Sequence, residues 1–155
     1  MGGYGVPIVG ALVAALLSLV VVPKLKRSVE HADECLGLLD ECAKWAADAM
    51  RKYVQADEVE ARKAANAMLA ARDALGREVN RRFSRSSRIG RINVLLAELD
   101  LALDLADPHG TPIVPANAGD LGIAIGTVQT QQSLCRAAII SAANSFAYRI
   151  WGKHS

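Results

Sequence analysis

The chain has 155 residues, enough for one core and no more. Hydrophobic residues make up 52% of it but aromatics only 5%, and Ala occurs 27 times, a balance that favours helices, because Ala is the strongest helix former whereas sheets draw on aromatic and β-branched residues. A disordered chain, a disulfide-rich miniprotein and an all-β sandwich are thereby disfavoured, and the net charge of +2 conceals a strong segregation of charge along the chain.

No Asp, Glu, Lys or Arg lies in residues 1–23. Val6 to Val22 reads VPIVGALVAALLSLVVV, with Ser18 its most polar side chain, and with the flanking Gly2–Gly5 and Pro23 it has the length expected of a bilayer-crossing helix. The start MGGYG carries no basic residue and Val20–Val22 stand where a signal peptidase needs small side chains, so an uncleaved anchor is expected over residues 1–23 rather than a removed leader. Lys24, Lys26 and Arg27 follow directly, which places the C-terminal side in the cytoplasm and the N-terminus outside. Within the segment Gly10, Ala14 and Ser18 are spaced four apart, a small-residue ridge suited to self-association of membrane helices.

Four amphipathic helices are expected after the anchor. In the first, about 24–54, Ala32, Cys35, Leu36, Leu39, Cys42, Ala43, Ala46, Met50 and Tyr53 recur at three- and four-residue intervals and line one face. Asp57 with Glu60 reads as the cap of a second helix, 57–83, with the stripe Ala61, Ala65, Met68, Leu75, Val79 and Phe83. After the break SRSS, Ser87 should cap a third helix, 87–106, whose Ile92, Leu96, Leu99 and Leu103, widened by Leu95, Leu101 and Leu105, mark it as the most buried. Residues 107–120, with three prolines and two glycines, form a long loop in which His109, Ile113 and Val114 are candidates to face a partner. The last helix, 120–150, holds Leu121, Ile125, Val128, Cys135, Ile139, Ala142, Phe146 and Ile150 along one side, and its central Gln129, Gln131, Gln132 and Arg136 suit a bundle better than a second span. The fold class expected is all-α, an N-terminal single transmembrane helix followed by an up-and-down four-helix bundle over residues 24–155.

That topology makes a prediction about charge. If the first helix leaves the bilayer and the second returns, the turn between helices two and three and the C-terminus both lie at the membrane-proximal end. The stretch 77–91 holds six Arg against Glu78, a balance of +5, and the C-terminus holds Trp151 and Lys153. Lys24, Lys26, Arg27, Arg81, Arg82, Arg85, Arg88 and Trp151 are therefore candidates to contact anionic lipid headgroups, each basic residue contributing about 1 kcal/mol near the surface. The acids Asp57, Glu58, Glu60, Asp104, Asp107 and Asp120 should gather at the far end. Nucleic acid is a weaker match for the Arg cluster, since only Phe83 interleaves with it and no helix-turn-helix pattern occurs.

No catalytic constellation is legible. Glycine-rich phosphate loops, nucleophile elbows and Glu-x-x-His pairs are all missing. His31 and Cys35 have a one-turn spacing, but without paired Cys or His motifs on either side no metal site is expected, and Cys35, Cys42 and Cys135 read as small buried hydrophobes. No cofactor and no enzymatic activity are expected. The expected function is that of a small single-pass interaction or scaffold protein, an accessory or oligomeric subunit of a membrane-associated complex, whose partners are an anionic bilayer and protein, including its own copies. The Ala and Arg content suits a bacterial chain and hence an inner-membrane location. The alternative is a membrane-perturbing effector, a toxin or lysis protein acting through oligomers of the anchor.

Overall fold

A computed structural model of the chain describes residues 22–104 and 118–145, together with Ala15, Ser18 and Leu19. Among these residues there are four helices and no strand: α1 (Val22–Val54), α2 (Glu58–Phe83), α3 (Ile89–Leu103) and α4 (Ala118–Ala143). The all-helical expectation holds. Both short reversals are built from local hydrogen bonds that the sequence specifies. At the end of α1 the Asp57 amide donates to the Lys52 carbonyl at 3.0 Å, and Ala56 takes a left-handed φ of 57° between them. This is a Schellman-type stop, which leaves the next residue free to start a new helix. Asp57 does so: its carboxylate accepts the Glu60 amide at 3.3 Å and caps α2.

The second reversal is made by Ser86, not by Ser87 as the sequence suggested. Ser86 is buried, and its hydroxyl accepts the Arg88 amide at 3.2 Å while its carbonyl accepts the Ile89 amide at 3.1 Å. Arg88 occupies the cap position of α3 with no side-chain hydrogen bond to the helix. Residue spacing alone could not separate three neighbouring serines, because only the turn geometry decides which hydroxyl points inward.

The helices run antiparallel in an up-and-down order. Glu34 near the start of α1 meets Arg82 at the end of α2, Arg72 lies opposite Asp100 and Asp104, Leu95 of α3 meets Cys135 of α4, and Asp40 of α1 pairs with Arg136 of α4. The core is made largely of small side chains. Cys35, Leu39, Cys42, Ala46 and Ala49 of α1 are fully buried, as are Ala61, Ala65 and Met68 of α2, so backbones approach closely where alanine faces alanine. α1 packs against both α2 and α4, and α3 packs against α4, whereas α2 and α3 barely touch. The ring of four is closed on three sides and open along the fourth.

Several expectations need correction. α3 is the shortest of the four, and it is not the most buried: Ile92, Leu99, Ala102 and Leu103 are enclosed, while Leu101 is 71% exposed and Val94 59%. Leu101 widens the apolar stripe in the sequence, but in the fold it is not covered by any of the described residues. α4 ends at Ala143 and not near 150, because Asn144 and Ser145 close the helix with bonds to Ile140 and Ala142 and the Ser145 hydroxyl caps the Ala142 carbonyl at 2.9 Å. Among the described residues no helix is long and apolar enough to cross a membrane. The anchor expected at 1–23 lies outside the described residues except for Ala15, Ser18, Leu19, Val22 and Pro23, and α1 already carries charge within its first turns.

Ala56 identifies a position where the chain departs from the residue its backbone prefers. A left-handed φ costs an L-residue about 1–2 kcal/mol, and glycine removes that cost while losing part of the gain to unfolded-state entropy. Ala56→Gly should raise the unfolding free energy by about 0.5–1 kcal/mol in a denaturant titration; a loss of stability would show that the turn is held differently.

Candidate functional site

One end of the bundle collects the basic residues. α2 finishes in Arg81, Arg82 and Phe83, the turn carries Arg85, and α3 opens on Arg88 with Arg91 one turn further. The same end holds the N-terminal part of α1, whose Glu34 pairs with Arg82, and the last turns of α4, because the Arg88 guanidinium donates to the Ser141 carbonyl at 2.8 Å and also to its hydroxyl. Lys24, Lys26 and Arg27 lie in the first turns of α1, at that end. Trp151 lies outside the described residues.

The arginines are not equivalent. Arg82 is only 9% exposed and is paired with both Glu78, one turn before it, and Glu34 of α1. It therefore belongs to the joint between α1 and α2 and not to an outward collar, which corrects its assignment to headgroup contact. A guanidinium enclosed among the aliphatic walls of the bundle requires carboxylates to satisfy it, and the two glutamates supply them. The hydrogen bonds from Arg82, with those from Arg81, hold the Glu78 carboxyl below its ordinary range although burial works in the opposite direction. Burial disfavours the Arg82 charge, but the hydrogen bond to Glu78 and the charge of Glu34 outweigh it and the guanidinium is held even more firmly protonated than usual. Arg81 is exposed and shares Glu78 at 3.0 Å. Arg85 and Arg91 are exposed and make no ion pair among the described residues.

Two grooves accompany these charges. The open seam between α2 and α3 forms a depression of about 810 Å³ with Leu75, Leu96 and Leu99 along its floor. Arg72 crosses it toward Asp100 and Asp104, at 3.9 and 3.7 Å, and burial raises the Asp100 carboxyl against the pull of that guanidinium. Between α3 and α4, beside the basic end, lies a second groove of about 430 Å³. On the opposite flank Asp40 joins α1 to α4, accepting from Gln132 at 2.6 Å and from Arg136. Neither groove is announced by a local pattern, since both arise from how the helix pairs are spaced. The Glu78–Arg82 spacing of four was a readable sign of the internal pair.

The three thiols are enclosed. Cys35, Cys42 and Cys135 have no exposed surface, and burial pushes them up to about 11, about 12 and about 11 respectively. Neutral thiols at neutral pH are poor nucleophiles and poor metal ligands. Among the described residues no group of three His, Cys, Asp or Glu side chains is placed to hold a metal ion. Of the remaining sequence candidates, Ser18 is exposed and donates to the Ala15 carbonyl at 3.0 Å, while Gly10 and Ala14 of the self-association ridge and His109, Ile113 and Val114 of the partner loop lie outside the described residues. Compared with known proteins, the chain matches no family model, no curated protein and no solved structure.

The inequality of the arginines is measurable. Removing one partner of a buried ion pair typically costs about 3–5 kcal/mol, and because Glu34 and Glu78 both reach water the cost of Arg82→Ala should be smaller, about 1–2 kcal/mol. Arg85→Ala should stay within about 0.5 kcal/mol of the native chain. The Glu78 carboxyl titrates lower in the folded chain than in the unfolded one, so its contribution is present above the ordinary carboxylate range and fades as pH falls through the lowered folded value. The deficit of Arg82→Ala in urea melts should accordingly be full at pH 7 and shrink toward pH 3; equal losses for both variants, or a deficit that grows on acidification, would contradict the assignment.

Proposed function

We propose that this chain is a small membrane-anchored helical interaction or scaffold protein, an accessory or oligomeric subunit of a membrane-associated complex, with its arginine-rich end turned toward anionic lipid. The observation that carries the reading is a coincidence of position. The uncharged run 6–22 leads into the start of α1, and the start of α1 shares one end of the bundle with the turn bearing Arg85 and Arg88 and with the last turns of α4. A bundle tethered by that run would hold its basic end at the bilayer surface, and the acids around Asp57 and Asp104 would lie at the other end.

Electrostatics supports the same orientation. Arg81, Arg85, Arg88 and Arg91 crowd one end with Glu78 as their nearest acid in sequence, and α3 begins with Arg88 and Arg91 and no acidic residue in its first turn. Cations at a helix N-terminus oppose its dipole, and mutual repulsion among four guanidinium groups adds to that cost. An anionic surface compensates both, at about 1 kcal/mol per basic residue close to it. Protein contacts fall naturally to the flanks, where Leu101 and Val94 of α3 and Ile123 of α4, 72% exposed, present apolar side chains to solvent.

Alkaline carbonate washing of membranes from cells expressing the chain tests the anchor. The native chain should remain with the membrane, and Leu16→Arg combined with Val20→Arg should release it, since each arginine at the centre of a span costs about 2.5–3.5 kcal/mol. Release of the native chain as complete as that of the variant would refute the anchored reading.

A further inference from the structure

The groove between α3 and α4 has two chemically distinct halves. At the end of the bundle stand Arg88 and Arg91, and no acidic side chain lines the groove among the described residues. Arg88 is fixed there through Ser141, whereas Arg91 makes no ion pair among the described residues. Farther in, toward the middle of the bundle, the walls are Leu95 of α3 with Leu134, Ala137 and Ala138 of α4. The bond from the Cys135 thiol to the Leu95 carbonyl, at 3.3 Å, sets the register that places these walls two turns from Arg88. Leu134 is 45% exposed, and beyond it α4 carries no charged side chain back to Asp120, whereas on α3 Glu98 follows Leu95 by one turn and ends the apolar stretch.

We infer that this groove binds a single-chain amphiphile with an oxyanion head, a medium-chain fatty acid being the simplest instance, because the lining from Arg88 to Leu95 covers two helical turns, about 10 Å. The carboxylate pairs with the guanidinium groups of Arg88 and Arg91, whose planar forks suit a bidentate oxyanion, and the alkyl chain lies along Leu95 and Leu134. A volume of about 430 Å³ falls in the range of small-molecule sites lined by apolar walls with a few polar groups at one point. The direction of the groove selects the occupant. Its apolar half extends from the arginines toward the middle of the bundle, so the bound chain runs along the helices and not out of the end. A diacyl lipid lying in a bilayer beyond that end would direct its chains the opposite way. The inference therefore does not depend on the proposed membrane orientation. An oxyanion between the two arginines also neutralises the cationic first turn of α3.

Photo-crosslinking tests it. The full chain, purified in a neutral detergent, is exposed to octanoic acid carrying a diazirine in its chain, and the labelled peptides are mapped by mass spectrometry. Adducts should fall on the segments around Leu95 and Leu134–Ala138. Arg91→Gln should lower the apparent affinity about tenfold, the loss of one charged hydrogen-bond partner, and because Arg91 is exposed the variant should keep the native urea midpoint. Arg85→Gln, which removes an equal charge from the same end but outside the groove, should leave labelling unchanged, and the matching fatty alcohol should label weakly. Inorganic phosphate at equal concentration should not displace the probe, since it lacks the chain. Adducts spread over the outer helix faces, equal labelling by acid and alcohol, or equal losses from Arg85→Gln and Arg91→Gln would overturn the inference.

Discussion

The structure depends on the alanine-lined contact that α1 makes with its neighbours. α1 presents Cys35, Leu39, Cys42, Ala46 and Ala49, all fully enclosed, and packs on both α2 and α4, more extensively than any other helix packs on its neighbours. Small side chains bury little area each, and the binding comes from close backbone approach over long helices of 33 and 26 residues. The two tight reversals then leave no choice of direction. Three residues separate α1 from α2 and five separate α2 from α3, too few for a parallel return, so the chain must run up and down and the arginine turn must come back to the end where α1 begins.

From that constraint follows the electrostatic asymmetry. The sequence alternates basic and acidic blocks, and antiparallel folding stacks blocks of like sign at the ends. Arg82 escapes the crowd by turning inward to Glu34 and Glu78, and thereby joins α2 to α1. Arg85, Arg88 and Arg91 stay at the surface. A protein under selection for stability alone would place acids in the first turn of α3 and spread the arginines. The departure from that rule is the physical ground for assigning an anionic counterpart to this end, whether a bilayer surface below it or an oxyanion in the groove beside it.

Much of the fold was legible because helix periodicity is a local signal. Most of the periodic apolar residues of α1 and α2 are buried, with Leu36 and Tyr53 only partly so and Ala49, Ala64 and Ala71 joining them, and Asp57 with Glu60 marks a start that the capping bond reproduces. What local pattern could not supply was which helix pairs touch. Leu101 looked like part of a wide core stripe, yet α2 and α3 stay apart and it faces outward. The same gap created the groove crossed by Arg72, which no motif announces. A charge count groups Arg82 with the outer arginines because it carries no direction, although Arg82 follows buried Val79 by three residues and Leu75 by seven and so shares their face of α2. The choice of Ser86 over Ser87 and the end of α4 at Ala143 rest on individual hydrogen bonds.

The central claim concerns orientation: the end bearing the arginine turn faces anionic lipid. Because Cys35, Cys42 and Cys135 are fully enclosed, a spin label can be directed to one introduced surface thiol. Ser84→Cys lies at the arginine end and Glu58→Cys at the opposite end of α2, separated by about 39 Å for 26 residues of helix. With the full chain in liposomes containing anionic lipid and a headgroup-chelated nickel relaxer, the account predicts strong relaxation enhancement at position 84 and little at 58. Equal enhancement at both positions, or the reverse order, would contradict it.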